Sequence, residues 1–287
     1  MSTVSLVGTM KESGLKALIK RHPLLSFFTL AIVISWLIAL PSLFFGMPFK
    51  PFQNLGAYGP FLAAIAVSAA LGSDELKSLL NRMRNFRFGV GWYLIAIFGN
   101  LFLYLLIAGL SGAPLGQSLG QKWTLIFTLY LPALFTSYLM SPIGEETGWT
   151  GFAIPHLQKR FSPWLSAIIL GVVWAVWHLP GFFVPSEMGA FTLVSFLFFV
   201  LISIFVRIIW TWITNHAGGS GIAAILLHAS SNAVSLVLIP NLLPTPTPNQ
   251  MATSGLLLLG FLFFFVVLIL SFTCGRLSYK ENVQIGS

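Results

Sequence analysis

The chain has 287 residues, 56% of them hydrophobic and only 8% charged, against roughly 25% charged residues in soluble domains, which excludes a water-soluble globular fold. The formal net charge of +8 comes from 15 Lys and Arg that gather between apolar runs, which fits flanks against an anionic membrane surface and argues against nucleic acid as a partner. The one cysteine, Cys274, excludes an intrachain disulfide framework and a cysteine-based metal cluster.

In chain order, a basic N-terminal segment (1–23, with Lys11, Lys16, Lys20 and Arg21) leads into a first apolar run from Leu24 to Phe45. That run is too long for a signal-peptide core and reads as a retained span, bent or ended by Pro41. A second run covers Leu55 to Leu71 and a third Val90 to Leu110. Between them Leu76, Leu79, Leu80 and Met83 recur at helical spacing, predicting an interfacial amphipathic helix capped by Ser73 or Asp74.

A fourth run begins near Trp123 and continues as helix to about Phe152, before Pro155; a fifth covers Trp164 to Leu179, with Pro163 in its first turn and Pro180 as its stop. Runs from Phe191 to Ile213, Gly221 to Ile239 and Gly255 to Cys274 complete the set, and the proline-rich stretch 240–249 between the last two reads as non-helical. The expected fold is all-α, a polytopic transmembrane helix bundle of about eight spans plus the amphipathic helix. Its expected layout is a cytoplasmic basic segment (1–23), a membrane domain (24–275) and a cytoplasmic tail (276–287). By the positive-inside rule both termini of this multi-pass cell-membrane protein are cytoplasmic.

Among only seven acidic residues, Glu145 and Glu146 stand side by side near the end of an apolar run. A buried carboxylate costs several kcal/mol unless paired or hydrogen-bonded, so ionisable groups at membrane depth mark a functional site. His178 ends the fifth run, and His228 and Asn232, four residues apart, share one face of the seventh. A carboxylate and an imidazole can hold and deprotonate a water, while a second imidazole and an amide can donate to an oxyanion. The same set would also suit a divalent metal such as zinc, held by one carboxylate and two imidazoles. His22, His156 and His216 sit at run ends or in loops and read as interfacial.

The order Glu145-Glu146, then Trp174-x-x-x-His178, then His228-x-x-x-Asn232, on separate membrane helices, resembles the CAAX prenyl endopeptidase and bacteriocin-processing (CPBP, or Abi) intramembrane protease family. Gly148-Trp149, Gly151-Phe152, Trp177-His178-Leu179-Pro180 and Gly218-Gly219-Ser220 are similar to that family too, so that the likeness covers about residues 120–235. The resemblance implies that Glu145 is general base on the attacking water, with His178 helping to hold it. It implies that His228 and Asn232 stabilise the oxyanion and that Glu146 supports the site. Two departures stand out: Thr150 occupies the place of the family's usual Arg, removing the cation expected beside Glu146, and Trp174 replaces the usual Phe.

The sequence therefore predicts an endopeptidase that cleaves a membrane-associated, lipidated or unlipidated, protein or peptide close to the bilayer on its cytoplasmic side. No cofactor is required on this reading; a divalent metal is the variant. The rival class is a non-proteolytic immunity or scaffold protein, or a carrier that relays protons through Glu145 and His178. Counting about 1.5 Å per residue from the cytoplasmic ends leaves His178 roughly 8 Å deeper than His228, so the fifth helix must tilt or shorten for the site to close.

Overall fold

The computed structural model describes residues 14–184 and 192–279, and among these every regular element is helical. Lys11, the predicted start of the sixth run at Phe191 and the end of the tail lie outside the described residues.

A short helix, α1 (Gly14–Arg21), leads into the first span, α2 (Pro23–Phe45). Pro41 neither ends nor breaks α2: it sits in the last turn, and the helix closes at Gly46 in the left-handed conformation (φ 65°). The chain then folds back as α3 (Phe49–Gly56) and α4 (Gly59–Leu71), which together are long and apolar enough to make the second span. Ser35 Oγ of α2 donates to Gly56 O at 2.7 Å and ties the midpoints of the two spans together.

The amphipathic helix α5 (Ser73–Met83) forms as the spacing predicts, but its N-cap is Gly72, with no side-chain cap bond. Ser73 and Asp74 lie inside the first turn instead. Leu79 is fully buried and anchors the helix to the protein. The third span is α6 (Val90–Leu110), followed by the short α7 (Leu115–Lys122).

The fourth crossing is a broken one. A π-helical turn (Ile126–Tyr130) and α8 (Leu131–Met140) are separated at Ser141 from α9 (Pro142–Gly148), which continues through a second π turn (Trp149–Ala153) into α10 (Ile154–Gln158). The two halves meet at 46°. The helix thus runs past Pro155, which is tolerated because it falls in the first turn of α10. The fifth span, α11 (Pro163–Trp177), ends in a 3-10 turn (Leu179–Phe183), so Pro180 tightens the coil rather than stopping it outright.

The remaining spans are α12 (Leu193–His216), α13 (Gly221–Asn232) with a π turn (Ala233–Leu238) and α14 (Ile239–Leu242), and α15 (Pro248–Thr273). Helix therefore intrudes on both ends of the proline-rich stretch predicted to be non-helical. Seven helices are long and apolar enough to cross a membrane, and the broken pair 126–137 and 142–158 makes an eighth, as the sequence predicts. The large apolar side chains left exposed, such as Phe102, Phe135, Val194, Leu256 and Phe272, belong to these helices and suit lipid contact.

Two glycines of α9 decide how deep the site sits. A Cβ on Gly144 would lie 2.6 Å from Ala57 O, and one on Gly148 2.5 Å from Pro60 Cβ and 2.6 Å from Pro60 O. Their faces let α9 press against α3 and α4 backbone to backbone, as small residues do between membrane helices. Gly148→Ala is expected to overpack this contact at a cost of about 1–3 kcal/mol. Thermal unfolding in detergent should show a lower midpoint, and an unchanged one would contradict the close approach.

Candidate active site

The carboxylates come from α9, which is buried on all sides: Glu145 is 4% exposed and Glu146 is 0%. The break at Ser141 turns the chain so that this one short helix faces α4, α8 and α13 together. Ion pairing and hydrogen bonding have to replace the lost hydration of both groups.

For Glu146 they do so completely. Its Oε2 accepts from Thr150 Oγ1 at 2.6 Å and from Arg207 Nη1 at 2.8 Å, and its Oε1 faces His228 Nδ1 at 2.9 Å. Arg207 is itself 1% exposed. Its guanidinium carbon lies 4.4 Å from the centre of the Trp174 ring and 5.3 Å from that of Trp210, so cation–π contact backs the salt bridge. Thr150 does not leave Glu146 without a cation; the cation comes from α12, 61 residues on.

This residue was the one that sequence reasoning missed. Its signal is visible: Arg207 is the only charged residue inside the apolar run 193–216, and a charge at membrane depth is itself a flag. His156 is buried in the protein: it stacks on Phe152 with ring centres 4.1 Å apart, its Nδ1 meets Phe152 O at 2.8 Å, and its Nε2 lies 3.8 Å from Glu75 of the amphipathic helix α5.

Glu145 points the other way. Its Oε2 accepts from Trp174 Nε1 at 2.8 Å. A Phe at this position has no N–H to give, so the departure at Trp174 adds a hydrogen bond to the carboxylate. The same Trp174 offers its backbone carbonyl to His178 Nδ1 at 2.8 Å. A carbonyl only accepts, so His178 carries its proton on Nδ1 and Nε2 is the nitrogen left over. Trp36 Nε1 of α2 donates to Trp177 O at 3.0 Å and holds this end of α11 against the first span.

The Arg207 guanidinium on Oε2 favours Glu146 as a carboxylate, which only accepts, so His228 Nδ1–H donates to Oε1 and Nε2 points away from the pair. One turn on, Asn232 Nδ2 reaches Ser141 Oγ at 3.4 Å. α13 is pinned beside these residues by Asn100 Nδ2 donating to Leu227 O at 2.9 Å and by Tyr130 and Ser230, whose hydroxyls are 3.0 Å apart.

Glu145, His178, His228 and Asn232 line one cavity of about 100 Å³, together with Ser141, Trp177, Leu236, the α3 residues Lys50, Gln53 and Asn54, and Ala57 just after α3. That is room for several waters. Glu146 lies behind the wall. Among the described residues no three His, Cys, Asp or Glu side chains are placed to hold a metal ion.

Residues 127–234 match the family described as Type II CAAX prenyl endopeptidase Rce1-like. The matched stretch is the part of the chain that carries Glu145-Glu146, His178 and His228-x-x-x-Asn232. A curated relative, CAAX prenyl protease 2 of Methanococcus maripaludis, is 29% identical over 182 residues, covering 60% of this chain and 67% of the relative. The match begins in the first π turn and ends just past Asn232, so it encloses every residue of the cavity except Lys50, Gln53, Asn54, Ala57 and Leu236.

Breaking a buried ion pair by removing one partner costs about 3–5 kcal/mol. Arg207→Met should therefore lower the unfolding midpoint strongly, and Thr150→Arg, which crowds a second cation beside Glu146, should lower it too. The double variant Thr150→Arg/Arg207→Met returns the single cation and should be more stable than either alone. Additive losses in thermal unfolding would contradict the pairing.

Proposed function

We propose that this protein is an intramembrane endopeptidase that hydrolyses a peptide bond by water activated at Glu145. The observation that carries the reading is the convergence of Glu145, His178, His228 and Asn232 on one water-sized cavity inside an apolar bundle, with Glu146 held behind them as an orienting group. The family match and the name of the archaeal relative agree with it.

In this mechanism a water sits between the free oxygen of Glu145 and His178 Nε2. Glu145 takes its proton as the water oxygen bonds to the scissile carbonyl carbon. The carbonyl oxygen, now an oxyanion, receives a donor from Asn232 Nδ2 and another from His228 Nε2–H when that ring is imidazolium. Collapse breaks the C–N bond, and Glu145 returns the proton to the leaving amine, which leaves a new amine and a new carboxylic acid that then gives up its own proton to become the carboxylate. Trp174 is a positioning residue: its N–H fixes which carboxylate oxygen faces the water, and its carbonyl fixes the His178 ring. The substrate is a membrane-associated peptide or protein, lipidated or not.

Cleavage of prenylated and unprenylated membrane-peptide reporters by purified protein tests the reading. Glu145→Gln and His228→Ala are expected to abolish cleavage while remaining folded, and Asn232→Ala to slow it by roughly 10²-fold, the loss of one oxyanion donor. Trp174→Phe should reduce the rate by roughly tenfold or more, the worth of one hydrogen bond to a charged group. Cleavage that survives Glu145→Gln would remove the assignment, and loss of cleavage on adding a strong chelator would favour the metal variant instead.

A further inference from the structure

The end of the bundle that the cavity lies towards follows from the spans. Lys50, Gln53 and Asn54 come from α3, the half of the second span next to the connection 46–48; Trp177 and His178 end α11; Leu236 lies in the last two turns before α14 ends. These segments all lie at the end of the bundle that carries the connections 46–48 and 243–247. Lys50 is exposed there. Along the same route Gln53 Oε1 and Trp177 Nε1 are buried with no hydrogen-bond partner, an acceptor and a donor of the kind that a peptide backbone can satisfy.

At the opposite end the site is closed. Met83 of α5 fills the gap between Gly151 and Gly221: a Cβ on Gly151 would lie 2.8 Å from its Sδ and one on Gly221 2.3 Å. Arg82 Nε donates to Gly151 O at 2.8 Å, and Ser220 Oγ donates to Asn85 O at 2.6 Å, fastening α5 and the residues after it across that end. This end also carries the charge. Of the 15 Lys and Arg, Lys50 and Lys122 flank the mouth end, Arg207 is inside, and all the others flank the plugged end by sequence position.

We propose that the site takes its substrate from the face opposite the basic flanks, and so acts on peptide segments presented at the extracytoplasmic side of the membrane. Basic flanks stay in the cytoplasm during insertion, so the plugged end faces inward and the mouth outward, the reverse of the cytoplasmic mouth that the sequence predicts. The substrate class rests on the peptidase reading above; the direction of the mouth does not.

Cysteine accessibility in cells expressing the full chain tests it without any need for catalysis. The native Cys274 is exposed at the basic end, and in a Cys274→Ser background Lys50→Cys marks the rim and Asn54→Cys the wall. A membrane-impermeant thiosulfonate should modify Lys50→Cys and Asn54→Cys in intact cells, and Cys274 of the unaltered chain only after permeabilisation. Modification of Cys274 in intact cells, or protection of both α3 cysteines until permeabilisation, would overturn the proposal. Failure of the peptidase reading would instead show as absent cleavage with this labelling pattern intact.

Discussion

The arrangement depends on keeping one carboxylate charged where no water reaches it. Glu146 is fully buried in a bundle with scarcely any other charge, and it persists because Arg207, Thr150 and His228 between them supply three donors to its two oxygens. Such a pair is weak evidence of stability, since replacing both charges by packed apolar groups often costs nothing. Its use lies in geometry: the bond from His228 Nδ1 orients the ring and commits one nitrogen, so that the other faces the cavity. The carboxylate–imidazole pair thus does for His228 what the Trp174 carbonyl does for His178.

The helices are broken where that geometry needs it. Ser141 interrupts the fourth crossing just before the two glutamates, and π turns follow both the glutamate helix and the His228–Asn232 helix. π turns recur at functional sites because they shift the register of the side chains beyond them. Glycines then allow contacts that no other residue would, at Gly144 and Gly148 against α3 and α4 and at Gly151 and Gly221 against Met83. Rigid close packing on one side and a water-sized void on the other place two adjacent glutamates in opposite surroundings.

Much of this was legible in the sequence. Hydropathy gave the spans, and polar residues in apolar runs picked out Glu145, Glu146, His178, His228 and Asn232, four of which the fold gathers on one cavity. Arg207 was not found because its partner lies 61 residues away, and spacing along one helix carries no information about pairing between helices. Trp174 looked like a mild change of aromatic residue, whereas its value is the indole N–H. Pro155 misled because a first helical turn does not need the donor that proline lacks, while α2 simply runs four residues past Pro41 before it ends.

The central claim is that Glu146 holds the Nδ1 proton of His228 and so turns Nε2 to the cavity. Nitrogen-15 NMR of histidine-labelled protein in detergent, with the His228 signal assigned by its loss in His228→Gln, reads this directly. The account predicts a protonated Nδ1 in a strong hydrogen bond that weakens in Glu146→Gln. An unprotonated Nδ1, with the ring's only proton on Nε2, would contradict it.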